Sequence, residues 1–206
     1  KKSKRLKKSN SWKIKQHRDQ FFKKSKILGY RSRASFKLIE LIEKFKIIKK
    51  DSFLLDLGSC PGGWSQVASK IVSKGKILSL DIKPMSPIKN VKFIECDIFD
   101  NETKNKINNF FHGKIDVIIS DMAADTTGNK SLDSIRTNQL CSEVISLSSR
   151  ILKPNGVLVS KLFMGEDFEK IRAYAKKTFK KINFFKPNSS RDNSRETYIH
   201  CNRLNS

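Results

Sequence analysis

The sequence predicts an α/β fold in which helices cover both faces of a mostly parallel β-sheet. Short apolar segments of strand length alternate with segments of helical periodicity along most of the 206 residues. A glycine-rich turn joins the first strand to the helix behind it, and charged side chains follow directly after several later strands. Because such sheets bind ligands at the carboxyl ends of their strands, these observations also predict a binding site there.

The N-terminal part of the chain is basic and predicts a helix well ahead of the first strand. We expect residues 1–16 to form a flexible basic arm that is suited to phosphate contact, and residues 17–206 to form one domain. Apolar side chains spaced among lysines predict a helix over residues 12–28 that ends at Gly29.

A second helix is predicted over residues 30–42, where apolar residues recur at helical spacing. Ser32 or Ser35 is expected to cap it. Three cations lie in its first part: Arg31, Arg33 and Lys37. Because cations near a helix N-terminus oppose the helix dipole, we expect this cluster to face an anion, either a carboxylate of the protein or a phosphate.

Seven strands are predicted from apolar segments that are separated by turn residues. They span residues 53–57, 76–80, 90–95, 114–120, 157–160, 182–185 and 197–201. Helices are predicted between them over residues 64–72, 100–112, 131–152 and 167–179. Pro154-Asn-Gly156 is expected to end the third of these helices ahead of the fifth strand.

The most informative segment is Asp56-Leu-Gly-Ser-Cys-Pro-Gly-Gly-Trp64, which joins the first strand to its helix. Glycine lets the backbone approach a ligand closely and accepts a positive φ. The spacing matches neither the dinucleotide motif G-x-G-x-x-G nor the phosphate-binding motif G-x-x-x-x-G-K-[ST]. The segment therefore favours a nucleoside-type ligand at the end of the first strand, with a plain tight turn as the alternative.

Four charged residues follow predicted strands at the same edge of the sheet. They are Asp81, Asp97, Asp121 and Lys161, after the second, third, fourth and fifth strands. One charge at such a place is ordinary, but four in register with the glycine-rich turn favour a site. An acid about 20 residues beyond the turn suits ribose hydroxyls, which assigns that role to Asp81.

The charge of the chain is large, positive and unevenly distributed. The formal net charge is +23, and residues 1–50 hold 19 Lys and Arg against three Asp and Glu. A polyanion is the natural partner of such asymmetry. A genome rich in A·T codons would also raise the lysine content, but it does not explain the concentration at one end.

The remaining composition narrows the class of protein. The four cysteines, Cys60, Cys96, Cys141 and Cys201, follow neither a zinc pattern nor a disulfide framework, so free thiols and no metal are expected. No apolar segment approaches the roughly 20 residues of a membrane span, and the basic N-terminus lacks the apolar core of a secretory signal. We therefore expect a cytoplasmic protein.

Five motifs together resemble the FtsJ/RrmJ family of ribose 2′-O-methyltransferases that use S-adenosylmethionine. The motifs begin at Tyr30 (Tyr-Arg-Ser-Arg-Ala-Ser-Phe-Lys-Leu), Asp56 (the glycine-rich turn), Ser120 (Ser-Asp-Met-Ala), Lys161 (Lys-Leu-Phe) and Ser189 (Ser-Ser-Arg-Asp-Asn-Ser-Arg-Glu-Thr-Tyr). The resemblance runs from about residue 17 to residue 201. Its most specific feature is an ordered set similar to the family's catalytic Lys-Asp-Lys-Glu tetrad: Lys37, Asp121, Lys161 and Glu196.

The resemblance implies a fold and a cofactor site. The fold would be a Rossmann-like, seven-stranded sheet whose last strand is antiparallel to the rest, which would bring Glu196 to the strand ends. S-adenosylmethionine would contact Gly58, Gly62 and Trp64 at the turn. Three carboxylates would complete its site: Asp81 at the ribose, Asp97 at the adenine amino group, and Asp121 near the methionine amino group and the acceptor.

The resemblance also implies RNA as the substrate. The compact single domain and short tail look like the bacterial members, which methylate a uridine of 23S rRNA in the large ribosomal subunit, so we expect a protein that acts in rRNA processing. We also expect it to be a monomer. Arg31, Arg33 and Lys37 would then bind RNA. The chain departs from the bacterial pattern at Ala124 and Asp125, where a proline and an amide are usual. Loss of the proline loosens this loop, and the carboxylate adds a negative charge beside the expected RNA site.

The expected chemistry is attack of a ribose 2′-hydroxyl on the cofactor's methyl group. Lys161 is the candidate that takes up the proton, or it stays charged and stabilises the developing alkoxide. Alternatives remain open from sequence. They are a tRNA 2′-O-methyltransferase of the same family, an RNA-binding ribosome-assembly factor without catalysis, a nicotinamide-dependent enzyme, and a purely structural ion-pair network in place of the tetrad.

Overall fold

The computed structural model describes residues 19–205. The helices are α1 (Gln20–Ile27), α2 (Ala34–Phe45), α3 (Gly63–Ile71), α4 (Asn101–Phe111), α5 (Lys130–Ile151) and α6 (Phe168–Thr178). The strands are β1 (Phe53–Leu57), β2 (Lys76–Asp81), β3 (Lys92–Glu95), β4 (Ile115–Ser120), β5 (Leu152–Phe163), β6 (Phe179–Phe185) and β7 (Glu196–Leu204). The predicted arm, residues 1–16, and the first part of the predicted helix over residues 12–28 lie outside the described residues.

The seven strands form one sheet in the order β3-β2-β1-β4-β5-β7-β6. The first five strands in this order run parallel, whereas β7 lies antiparallel between β5 and β6. The predicted fold, a mostly parallel sheet with an antiparallel last strand, is therefore confirmed. Because β7 runs in the opposite direction, its first residue, Glu196, lies opposite Phe163 at the carboxyl end of β5.

The sheet separates two apolar layers, and β1 shows how one strand supplies both. Leu55 and Leu57 belong to the cluster that includes α5 and α6, whereas Leu54 belongs to the cluster of α2 and α3. All three leucines have no exposed surface. Alternate side chains of a strand point to opposite faces, so a strand that is buried on both faces appears as a continuous apolar segment.

The fifth strand is longer than the sequence predicts. Residues 157–160 were the expected strand, with Lys161 directly after it, but β5 extends from Leu152 to Phe163 and Lys161 lies within it. The extension at the carboxyl end comes from pairing with β7, in which Lys161 lies opposite Tyr198. Strand length here depends on a partner that is distant in sequence, which local apolar character does not reveal.

The predicted caps of α2 are wrong. The N-cap position is Arg33, which makes no side-chain capping hydrogen bond, and the Ser35 hydroxyl instead donates to the carbonyl of Gly63 at 3.0 Å. The Ser35 hydroxyl thus links α2 to α3 by a hydrogen bond. No helix within residues 19–205 is long and apolar enough to cross a membrane.

Candidate functional site

A cleft of about 560 Å³ opens at the carboxyl ends of β1, β2, β3 and β4. Four residues predicted from the sequence line it: Gly58, Asp81, Asp97 and Asp121. Each follows or ends a different strand of the parallel part of the sheet, so the sheet itself brings them together. The cleft thus lies where open parallel sheets bind nucleotides and related ligands.

Gly58 forms the floor of the cleft beneath the loop that follows β4. Its φ is +71°, a conformation that side chains other than glycine rarely adopt, and a methyl group on its Cα would overlap Cγ of Met122. Its backbone N–H donates to the Leu80 carbonyl at 2.9 Å. Glycine at this position therefore lets the loop after β4 pack closely against the turn, and its N–H joins the turn to β2.

Asp81 is held rigidly at the end of β2. One carboxylate oxygen accepts a hydrogen bond from the Cys60 backbone N–H at 2.8 Å, and the other accepts from the Lys83 backbone N–H at 2.8 Å. Each oxygen has a second lone pair, so the carboxylate can still accept from a ligand. Asp97 is oriented in a similar way, because its Oδ1 accepts from the Phe99 backbone N–H at 3.0 Å.

Gly62 and Trp64 face the protein and not the cleft. A methyl group on Gly62 would meet Arg31, Met85 and Ile88. Trp64 is 2% exposed, and its indole N–H donates to the Ala34 carbonyl at 2.8 Å. Among the predicted ligand contacts of the turn, only Gly58 lines the cleft, while Gly62 and Trp64 shape the turn from behind.

The four predicted catalytic residues form two ion pairs beside the cleft. Lys37 Nζ lies 2.7 Å and 2.9 Å from the two carboxylate oxygens of Glu196. Lys161 Nζ lies 2.9 Å from Asp121 Oδ1 and 2.7 Å from the Asp121 carbonyl oxygen. All four side chains are at most 17% exposed, so both pairs are shielded from solvent. We refer to these four residues as the tetrad.

Tyr198 is a fifth member of this cluster that the sequence reasoning missed. Its hydroxyl donates to Asp121 Oδ1 at 2.5 Å, and its ring is fully buried 5.7 Å from the ring of Trp64. Burial raises the pKa of the Tyr198 phenol, and the neighbouring carboxylate of Asp121 raises it further. The signal was its place two residues beyond Glu196, on the same face of β7.

Asp121 is the most tightly held carboxylate of the cluster. Burial acts to raise its pKa, but the ammonium groups of Lys161 and Lys37 and the Tyr198 hydroxyl outweigh it and hold the pKa below its ordinary value. Asp121 is therefore ionised at neutral pH. It also lines the cleft, so it joins the ligand site to the tetrad.

Arg31 and Arg33 are engaged by groups of the protein. The Arg31 guanidinium donates to the backbone carbonyls of Pro61, Ser86 and Pro87. Arg33 pairs with the carboxylate of Asp19 and donates to a backbone carbonyl. The predicted anion near Arg33 is thus a carboxylate of the protein. Both arginines hold loops in place around the glycine-rich turn and the tetrad.

Helix α5 contributes one wall of the cleft, which the sequence reasoning did not anticipate. Arg136, Gln139 and Leu140 line this wall. The loop ahead of α5 is fixed by Asp133, whose carboxylate accepts from the backbone and hydroxyl of Thr127 and from the Gly128 N–H. Residues 19–205 contain no group of three or more His, Cys, Asp or Glu that could hold a metal ion.

Comparisons with known proteins add an independent finding. Residues 30–204 match the family model described as FtsJ-like methyltransferase. A Pelagibacter ubique protein named Ribosomal RNA large subunit methyltransferase E is 45% identical over 193 residues, which are 94% of this chain and 95% of that protein. A Rickettsia akari protein of the same name is 40% identical over 202 residues, covering 95% of this chain and 89% of that protein.

Solved structures are similar as well. A putative ribosomal RNA methyltransferase from Plasmodium falciparum has a TM-score of 0.76 at 32% identity, over 85% of this chain and 98% of that one. A putative methyltransferase from Streptococcus mutans, solved in complex with SAH, has a TM-score of 0.54 at 16% identity, over 81% and 97% of the two chains. At that identity the second likeness concerns the fold alone.

Proposed function

Because the chain belongs to the FtsJ-like methyltransferase family, we propose that it methylates the ribose 2′-hydroxyl of a uridine in 23S rRNA of the large ribosomal subunit. Methyltransferases of this family use S-adenosylmethionine. The names of the relatives from Pelagibacter ubique and Rickettsia akari support large-subunit rRNA as the substrate. The observation that carries the proposal is the tetrad, two shielded ion pairs that border the cleft.

The cleft suits S-adenosylmethionine in size and in the chemistry of its lining. Its volume of about 560 Å³ is within the usual range for a bound small molecule. Asp81 would accept from the two ribose hydroxyls, and Asp97 from the adenine amino group. Asp121, ionised and at the opposite end of the lining, would face the positively charged methionine amino group. Gly58 lines the cleft without a side chain, so its backbone is accessible to the ligand.

The bound cofactor supplies an electrophilic methyl group on a sulfonium. The residues of the chain have to place the acceptor hydroxyl and deal with its proton. Lys161 Nζ contacts Asp121 in two directions, so one position on the nitrogen is left for the acceptor oxygen. There Lys161 would take up the proton as an amine or, as an ammonium, donate to the developing alkoxide. Glu196 holds Lys37 with both oxygens, and Lys37 is close enough to Asp121 to lower the pKa of that carboxyl.

The basic character of the chain supports RNA as the partner. Of the net charge of +23, +16 lies in residues 1–50, where it can bind phosphates without reading sequence. Since Arg31 and Arg33 are engaged by the protein, we assign them mainly to positioning the RNA-binding surface, with Lys37 at the acceptor. The cleft and both ion pairs are built within one chain, which supports the proposal of a monomer. We propose that it acts on ribosomes in the cytoplasm.

Replacing Lys161 tests the catalytic assignment. We expect Lys161→Ala to abolish methyl transfer to large subunits from cells that lack the protein, while S-adenosylmethionine binds with unchanged affinity. Lys161→Arg separates the two roles, because arginine keeps the charge but does not release its proton in proteins. Activity of the arginine variant would assign a purely electrostatic role and exclude proton uptake at this position. Near-normal turnover of Lys161→Ala would refute both roles.

The substrate is tested by mapping modified riboses. We expect one uridine of 23S rRNA to lose its 2′-O-methyl group when the gene is deleted and to regain it when the wild-type gene, but not the Lys161→Ala gene, is restored. A change confined to transfer RNA would contradict the proposed substrate and would leave the reaction class intact.

A further inference from the structure

A second cavity, of about 490 Å³, lies at the same edge of the sheet, beyond the tetrad. It is bordered by the ends of β5 and β6 and the start of β7. We call it the β6 groove and define it by six of its lining residues: Met164, Phe168, Phe184, Lys186, Arg195 and Glu196. Neither the cofactor cleft nor the proposed mechanism uses the first five of them.

The floor of the β6 groove is apolar and aromatic. The rings of Phe168 and Phe184 lie 4.7 Å apart at an angle of 49°, and both are only partly buried. Met164, on the rim, is 48% exposed. Phe184 is the last but one residue of β6, an edge strand, so the aromatic surface remains open on one side. Such a surface offers stacking to a flat ring.

The rim of the β6 groove is positively charged. Arg195 is exposed, and within residues 19–205 its guanidinium has no hydrogen bond or salt bridge to the protein. Lys186 donates to the Ser194 carbonyl at 2.9 Å and has no salt bridge within the described residues. The one carboxylate in the lining, Glu196, is already paired with Lys37. The groove therefore combines an aromatic floor with unneutralised cations, which suits a nucleotide.

The tetrad lies between the β6 groove and the cofactor cleft. Asp121 lines the cleft, Glu196 lines the groove, and the lysines that they bind connect the two sides. The acceptor hydroxyl must therefore be positioned at the tetrad, with the cofactor in the cleft on one side of it. The base of the same nucleotide is bonded to C1′, next to the C2′ that bears the hydroxyl, so it lies within about one sugar of the tetrad. Because the cofactor occupies the cleft, we expect the base on the side of the groove.

We propose that the β6 groove binds the unstacked base of the nucleotide whose 2′-hydroxyl is methylated, with Arg195 on an adjacent phosphate. This inference rests on the proposed function. A base within a duplex could not reach the floor formed by Phe168 and Phe184, so the enzyme acts on a nucleotide turned out of its helix. Stacking holds any base, so the groove supplies position more than sequence recognition.

Two matched variants test the groove by kinetics. Phe184→Leu keeps the apolar contact with Phe168 but removes the aromatic face, and Phe99→Leu makes the same change on the rim of the cofactor cleft. For Phe184→Leu we expect kcat/KM for large subunits to fall about 10-fold, within the range of alanine substitutions at base-stacking residues. Its affinity for S-adenosylmethionine should equal that of the wild type, whereas Phe99→Leu should weaken cofactor binding alone.

The outcomes separate this inference from the proposed function. A wild-type protein that methylates large subunits and a folded Phe184→Leu variant of equal kcat/KM would overturn the groove proposal only. A wild-type protein that methylates no RNA would overturn the proposed function and the groove with it. If Phe184→Leu does not fold, the exposed Met164→Ala variant takes its place, with the same prediction of a lower kcat/KM at unchanged cofactor affinity.

The three methionines of the chain provide a direct measurement of binding. Met122 lines the cofactor cleft, Met164 lines the β6 groove, and Met85 is buried and lines neither. In protein labelled with carbon-13 at the methionine methyls, we expect a uridine pentanucleotide to shift the Met164 resonance through the ring current of a base. S-adenosylhomocysteine should shift Met122, and Met85 should stay in place. An equal Met164 shift from a pentamer of abasic ribose phosphate, or no shift at all, would overturn the proposal.

Discussion

Asp56 is a buried carboxyl directly beneath the glycine-rich turn. It is 1% exposed, its Oδ2 accepts from the Ser65 hydroxyl at 2.5 Å, and its Oδ1 has no hydrogen-bond partner within the described residues. Burial raises its pKa to about 7, although the Ser65 hydrogen bond acts in the opposite direction. Between pH 4 and pH 7 the folded protein therefore keeps a proton that the unfolded chain has lost.

This proton links stability to pH. The pKa of Asp56 is higher in the folded state than in the unfolded chain. The contribution of this protonated carboxyl to the free energy of unfolding is therefore fully present below the unfolded value of 3.8 and is lost as pH rises through 7. Asp56→Asn cannot ionise at this position. We expect its free energy of unfolding, relative to that of the wild type, to rise by about 4 kcal/mol as the pH increases from 4 to 8. Denaturant unfolding of both proteins at several pH values measures the difference.

The matched control is Asp51→Asn, which removes an exposed carboxylate shortly before the same strand. This variant should follow the wild type at every pH. A free-energy difference between Asp56→Asn and wild type that does not vary with pH would show that Asp56 ionises as readily in the folded protein as in the unfolded chain.

At the scale of the elements, Asp19 ties three segments together. Its carboxylate caps α1 by accepting from the backbone N–H groups of Phe21 and Phe22 at 3.1 Å and 3.2 Å. It also pairs with Arg33, ahead of α2, and lies 3.4 Å from Arg191 in the loop before β7. The side chain is 10% exposed. One residue thus fixes α1 to the start of α2, which carries Lys37, and to the loop that leads to Glu196.

We expect Asp19→Ala to lower the free energy of unfolding by about 3 kcal/mol, because it removes a cap and leaves the mostly buried Arg33 without its carboxylate. Asp19→Asn should lose less, since asparagine caps a helix about as well as aspartate does. Urea unfolding of the three proteins separates the two contributions. Equal losses in both variants would mean that the cap contributes nothing, and no loss in either would exclude the tie altogether.

Local patterns predicted the elements better than their boundaries. Apolar segments marked all seven strands, and most clearly β1 and β4, because parallel strands that are buried on both faces stay apolar along their length. They placed Lys161 after β5, although pairing with β7 continues the strand to Phe163. They likewise suggested serine caps for α2, whereas Ser35 is directed at α3. In each case a contact distant in sequence decided the boundary.

At the scale of the molecule, the charge distribution predicts how RNA binding depends on salt. Residues 1–18 hold nine Lys and Arg and no Asp or Glu, and removing them leaves the Asp19 cap in place. Because cations that contact phosphates release counterions, the affinity of the full chain for rRNA should fall steeply between about 50 and 200 mM salt.

Deleting residues 1–18 should make that dependence shallower. The slope of log affinity against log salt should change by about 0.7 for each RNA phosphate that the shortened chain no longer binds. Filter binding at several salt concentrations gives the slope. The melting temperature and the affinity for S-adenosylmethionine serve as controls and should not change. An identical slope for the two chains would show that residues 1–18 bind no phosphates.

The sequence by itself determined the order of the strands and helices, the family and the identities of the candidate site residues. Family membership was predicted from five motifs and is confirmed. These features are local in the chain, since each motif or periodic segment is read within a few residues of itself. The glycine-rich turn and the acids after the strands could be placed at one edge because parallel strands all end there.

Only the tertiary structure decided how those residues are paired. It joins Lys37 to Glu196, 159 positions away, joins Lys161 to Asp121, and adds Tyr198 to the second pair. It also turns Arg33 toward Asp19 and opens the β6 groove beyond Glu196. The physical reason is that an ion pair depends on distances across separate elements, and these are set by the reversed direction of β7 and by the packing of α2, which no local pattern encodes.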